Sequence, residues 1–230
     1  MPASSDSISQ QQYDQYTADW AALIHNGNDD ALEQAFRVPR VGRITFLTFS
    51  IDQILALVSA AEVSHIKARF LLLPEAAGVA RFSATLFATD ATGERLSEYY
   101  IPTSAAATTT QPVKPSPGPS TRIPQAVALS WLTDWVAASL LTTALFTTPS
   151  GPLQGCSFEV STFQDPLAAA LPYAGQSLFF NLGLGTTESE LAPELVVYIN
   201  ALGSRTQGSI RGLPTDDSFY DSSSRCPPST

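Results

Sequence analysis

The chain has 230 residues, 44% of them hydrophobic and only 14% charged, with a net charge of −9 and a pI near 4.5. Such a chain buries a large core, which excludes a wholly disordered protein, and two cysteines are too few for a disulfide-stapled mini-protein. The acidic balance opposes a phosphate-binding surface, so no nucleic acid is expected as a partner.

Met1 to Gln12 is polar, with no basic start and no apolar core, so no signal peptide is expected. That makes the cytoplasm the default location. Scarce lysine (Lys67 and Lys114) with abundant Ser, Thr, Ala and Pro also fits an extracellular or cell-surface protein. Tyr13, Tyr16, Trp20, Leu23 and Ile24 form a helical stripe. Ile44 to Phe49 reads as a strand, and Ser50 caps a helix carrying Ile51, Ile54, Leu55 and Val58. His65 to Leu72 and Arg81 to Thr89 alternate as half-buried strands do. Asp90-Ala91-Thr92-Gly93 makes a turn, and Arg95 to Ile101 is a candidate further strand.

Residues 103–123 hold Pro112, Pro115, Pro117 and Pro119 and read as an extended linker. The pattern then repeats: a helix over 124–146, a strand over 156–161, a helix over 163–171, strands over 177–184 and 194–200, a turn over 200–203 and a candidate strand over 205–211. Asp134 near the middle of the apolar stretch Ile123 to Phe146 marks a buried helix and no membrane span. Residues 215–230 are acidic and serine-rich and are expected to be disordered when alone.

Self-similarity is the strongest signal. Asp19-Trp20-Ala21-Ala22 recurs as Asp134-Trp135-Val136-Ala137, and Phe46 to Ala56 matches Phe158 to Ala168. Ile66, Ala68, Phe70 and Leu72 correspond to Leu178, Phe180, Leu182 and Leu184, and Asp90 to Arg95 corresponds to Asn200 to Arg205. Four blocks keep their order with a shift of roughly 110 to 115 residues. The expected fold is α+β: a tandem duplication of a helix–strand–helix–β-meander unit, with antiparallel sheets and helices on one face. The units are 1–102 and 124–214, with the linker between them and the tail 215–230 after them.

Phe46 to Leu57, Ile66 to Leu72, Ala84 to Gly93 and Cys226-Pro227-Pro228 carry a likeness. In this pattern the chain resembles an uncharacterised family of small bacterial α+β proteins with a D-x-x-G turn and a Cys-Pro-Pro tail. The resemblance implies that fold and no activity. The family tail carries a further Cys where this chain has Ser229-Thr230.

Catalytic chemistry is hard to place. There is no G-x-S-x-G, and the only histidines, His25 and His65, fall at a helix end and a strand start. Close Cys/His metal spacings are missing, and Asn28-Asp29-Asp30 and Asp216-Asp217 with Asp221 do not match a calcium loop. Gly183-Leu184-Gly185 lacks the lysine of a phosphate loop and is read as a turn. No catalytic residue, cofactor or metal ligand is therefore expected. Trp20, Trp131, Trp135, Tyr99 and Tyr100 are expected as packing or interface anchors, with sugar stacking by Trp131 or Tyr99-Tyr100 as the alternative. Cys156 and Cys226 are candidate crosslinks, and their pairing is open. The expectation is a non-enzymatic, self-assembling filament or sheath subunit whose partner is itself. The alternative is a binding module holding a small molecule, glycan or protein between its units.

Overall fold

A computed structural model describes residues 6–38, 42–75, 80–106, 125–169, 176–187, 190–201 and 224–225. The chain begins with β1 (Ser7–Ile8), α1 (Gln10–His25) and α2 (Asp29–Ala35), then the short hairpin of β2 (Arg37–Val38) and β3 (Gly42–Arg43). Next come β4 (Phe46–Ser50), α3 (Ile51–Val58), β5 (His65–Leu73), β6 (Arg81–Thr89), β7 (Tyr99–Tyr100) and β8 (Ser104–Ala106). The later part holds α4 (Gln125–Ala137), a 3-10 turn (Thr143–Phe146), and a second short hairpin of β9 (Thr147–Thr148) and β10 (Gly151–Pro152). It continues with β11 (Gly155–Glu159), α5 (Ser161–Ala169), β12 (Gln176–Thr187), β13 (Glu190–Ala201) and β14 (Ser224–Arg225).

Local chemistry sets the element ends. Ser9 and Gln12 form a capping box at the start of α1, and Ser50 and Gln53 form another at the start of α3. Gly27 takes a φ of +65° just after α1, which glycine adopts without a Cβ penalty. In the turn after β6, the Asp90 carboxylate accepts from the N–H groups of Thr92 and Glu94 at 2.8 and 2.9 Å. Gly93 completes that turn at a φ of +91°.

The fold is mixed α and β, and its sheets are antiparallel. The larger sheet has the order β1-β7-β6-β5-β11-β14, and the second has the order β13-β12-β4-β8. Strands are exchanged between the early and late parts of the chain. Early strand β4 pairs with late strand β12, placing Phe49 opposite Leu178. Late strand β11 pairs with early strand β5, placing Phe158 opposite Ile66. One hydrophobic cluster spans both sheets, with Phe70 and Phe82 from the larger and Phe49 and Phe180 from the second. The Phe180 ring lies 5.4 Å from Phe49 and 5.7 Å from Phe158, so it touches strands of both sheets.

Hydrogen bonds recur in pairs, one pair within the two parts and one across the exchange. Ile44 donates to the Phe36 carbonyl and Leu153 donates to the Phe146 carbonyl, both at 2.7 Å. Leu182 donates to the Thr45 carbonyl and Phe70 donates to the Gln154 carbonyl, both at 2.9 Å.

Several elements differ from the sequence expectation. The helix expected over 124–146 ends at Ala137. Past that point, acidic side chains of the earlier helix take the backbone donors: Glu33 accepts from Leu141 and Asp29 from Thr143. The strand expected over 95–101 is reduced to β7, because the Ser97 hydroxyl takes the Ala88 N–H in place of a backbone carbonyl. Gly183-Leu184-Gly185 lies inside β12 and not in a turn. In the serine-rich tail, Ser224 and Arg225 pair with Ser157 and Cys156 and extend the larger sheet. The expected strand over 205–211 lies outside the described residues, as do the turn beyond Ala201 and the linker 107–123.

Candidate functional site

The tryptophans are packing residues. Trp20 is fully buried at 0% exposure and Trp135 at 1%. The Trp20 indole N–H donates to the Leu153 carbonyl, and the Trp135 indole N–H donates to the Ile44 carbonyl, each at 2.8 Å. Each ring therefore fills the core while its polar edge is satisfied. Phe36 touches both, with ring centroids 6.3 Å from Trp20 and 5.2 Å from Trp135. Trp131 is half-buried on α4. A Cβ at Gly183 would lie 2.9 Å from the Trp131 Cβ, so the missing side chain lets α4 lie close on β12.

Tyr99 is buried and stacks on Tyr13 at 4.0 Å, with its hydroxyl donating to Gln10 Oε1 at 3.0 Å. Its ring also lies 4.5 Å from the Arg95 guanidinium. A ring held on these sides is not a sugar platform. Tyr100 is partly exposed, and its carbonyl accepts from the Thr85 hydroxyl at 2.8 Å. Burial, reinforced by the Glu98 charge, pushes its phenol above the ordinary tyrosine range.

An ion-pair cluster was not legible in the sequence. Arg43 Nη2 donates to both Glu33 oxygens at 3.0 and 2.9 Å. Arg43 Nη1 donates to the carbonyls of Trp135 and Ala138, both at 2.8 Å, closing the C-terminal end of α4. Glu33 then accepts from the Leu141 N–H at 3.1 Å. The arrangement ties α2 and β3 to the end of α4, with Arg43 Nε buried and without a hydrogen-bond partner.

The histidines stand apart. His25 is the exposed last residue of α1, and His65 opens β5 opposite Thr89 and Glu159. Cys156 is buried in β11 at 1% exposure, and Cys226 lies outside the described residues. Asn28 caps α2, accepting from the Ala31 N–H at 3.0 Å, while Asp29 holds Thr143; the aspartates of the tail lie outside the described residues. Among the described residues, no group of three or more His, Cys, Asp and Glu is placed to hold a metal ion. Among them too, no helix is long and apolar enough to cross a membrane. A cavity of about 460 Å³ is lined by Leu23, Asn28, Asp30, Ala31, Gln34 and Leu72. All of these belong to the first half of the chain, so this cavity is not a groove between halves.

The remaining feature is an edge. β13 ends the second sheet, and among the described residues nothing pairs with its outer side. In the larger sheet, β6 is covered on one side by β5 and on the other by β7 and then β1. β13 carries no lysine or arginine, which edge strands commonly use to repel partners. α4, packed on the neighbouring β12, exposes Val127 and Val136, and Leu140 just beyond its end is exposed too, the last two at 50% and 44%.

No protein-family model, characterised protein or solved structure matches the chain.

Proposed function

We propose that the chain is a self-assembling structural protein, a filament or sheath subunit, built by tandem duplication of an α+β unit whose two copies exchange a strand. The observation that carries the assembly reading is the 12-residue strand β13, whose outer side pairs with nothing among the described residues. A long edge without basic residues is a template for strand addition. The duplication is supported by the paired bonds: Trp20 to Leu153 beside Trp135 to Ile44, and Ile44 to Phe36 beside Leu153 to Phe146.

The candidate anchors serve this reading as core pins. Of them, Trp20 and Trp135 tie the early and late parts of the chain together through the Leu153 and Ile44 carbonyls. Cys226 is the crosslinking thiol of the assembly, because Cys156 is shut in the core. No catalytic step is assigned.

Sedimentation velocity over a concentration series tests the reading. It predicts a weight-average mass that rises with concentration. A mass fixed at that of the 24.5 kDa chain across the series would overturn it. The alternative, a binding module, has one observation of its own, the cavity beside α2; it predicts a compact monomer whose melting temperature a ligand raises.

A further inference from the structure

We infer that the outer edge of β13 pairs with the same edge of a second copy of this chain, antiparallel and about a two-fold axis, over Leu195–Ala201. The inference rests on the assembly reading and names its first contact.

Pro193 fixes which backbone groups face outward. It stands in β13 opposite Leu184. Proline has no N–H, and within a sheet its nitrogen is tolerated where it faces away from the ladder. The pairing of β12 with β13 runs without a bulge from Gln176 opposite Ala201 to Thr187 opposite Glu190. Backbone groups alternate along a strand with a period of two. The N–H and C=O groups of Leu195, Val197, Ile199 and Ala201 therefore share the outward side with the Pro193 nitrogen.

That window suits a second copy. The chain carries a net charge of −9, yet Leu195–Ala201 contains no charged residue. Glu190 and Glu194 lie before it. Two copies can meet over the window without bringing like charges together. An antiparallel edge is also self-complementary: a two-fold axis at Tyr198 sets Val197 opposite Ile199 and Leu195 opposite Ala201, each both donor and acceptor. Pro193 stops the ladder at each end. A two-fold contact closes on itself, so a filament adds a second, different contact between such dimers.

Sedimentation velocity and residue-resolved hydrogen exchange on the full chain test the pairing. The expected result is a dimer in which the amides of Leu195, Val197 and Ile199 gain protection as concentration rises. The amides of Val196, Tyr198 and Asn200, bonded to β12, should be protected throughout. Val197→Pro removes one outward N–H and no bond to β12, so it should raise the dimer dissociation constant by ~10-fold or more. If that variant fails to fold, the alternation of exchange in the unaltered chain still decides. Outward amides protected at every concentration would mean that residues of the same chain cover the edge, and the inference fails. Assemblies that survive Val197→Pro would reject this edge while leaving the assembly reading intact. A monomer at every concentration would reject both.

Discussion

The indole N–H of Trp20 donates to the carbonyl oxygen of Leu153 at 2.8 Å, joining residues 133 positions apart. Trp135 does the same with Ile44, across 91 positions and in the opposite direction along the chain. Each tryptophan leaves its own helix to close the end of a strand from the other half. Replacing either Trp20 or Trp135 with Ala should cost about 3–5 kcal/mol, from lost ring contacts and the cavity left behind. Trp20→Phe should cost less, about 1–3 kcal/mol, chiefly for the unpaired Leu153 carbonyl. Urea unfolding measures both, and an unchanged midpoint in Trp135→Ala would contradict the packing assignment.

Glu33 and Arg43 are both largely buried, and their ion pair also holds backbone groups of Trp135, Ala138 and Leu141. Arg43→Ala leaves a buried carboxylate without its main charge partner and should destabilise the chain by about 3–5 kcal/mol. The loss should appear as a lower midpoint of one cooperative transition, because the pair links both halves. Two separated transitions in the unaltered protein would contradict that linkage.

Gly155 and Gly27 both have positive φ, at +139° and +65°, but their surroundings differ. A Cβ at Gly155 would stand 1.9 Å from the Ala68 carbonyl oxygen, while nothing lies within 4 Å of one at Gly27. Gly155→Ala must push β11 off β5 and should cost more than about 2 kcal/mol. Gly27→Ala should cost about 1 kcal/mol, for backbone strain alone. Thermal melts of the two variants check the order.

Tyr100 titrates above the ordinary tyrosine range because burial, with the Glu98 charge beside it, favours the neutral phenol. A group whose folded value is raised gives stability that is complete below the unfolded value, about 10. That stability is lost as pH rises through the folded value. The urea midpoint of the unaltered chain should therefore fall more steeply above pH ~10 than that of Tyr100→Phe. Parallel curves would contradict the assignment.

Local signals in the sequence were reliable where neighbours along the chain decide the outcome. The stripe from Tyr13 to Ile24 became α1, the alternation in His65 to Leu72 and Arg81 to Thr89 became β5 and β6, and Asp90 with Gly93 built the turn between them and β7. Decisions made by distant partners were not legible. Nothing local to Phe46–Ser50 says that it pairs with Leu178 and not with its own hairpin. The early end of α4 depends on Glu33, Asp29 and Arg43, which lie roughly a hundred residues away in the chain. Gly183 and Gly185 looked like turn residues, yet both lie inside β12, where Gly183 makes room for α4. Of the residues expected as anchors, Trp20, Trp135 and Tyr99 are buried, Trp131 packs at Gly183, and Tyr100 is partly exposed. The β13 edge was beyond sequence reading because an edge is defined by what fails to pair with it.

Negative-stain electron microscopy of the purified full chain, with and without reductant, tests the assembly account most directly. The account predicts ordered filaments or sheets, strengthened under oxidising conditions through Cys226 and unaffected by Cys156→Ser. Uniform particles of single-chain size under both conditions would contradict it.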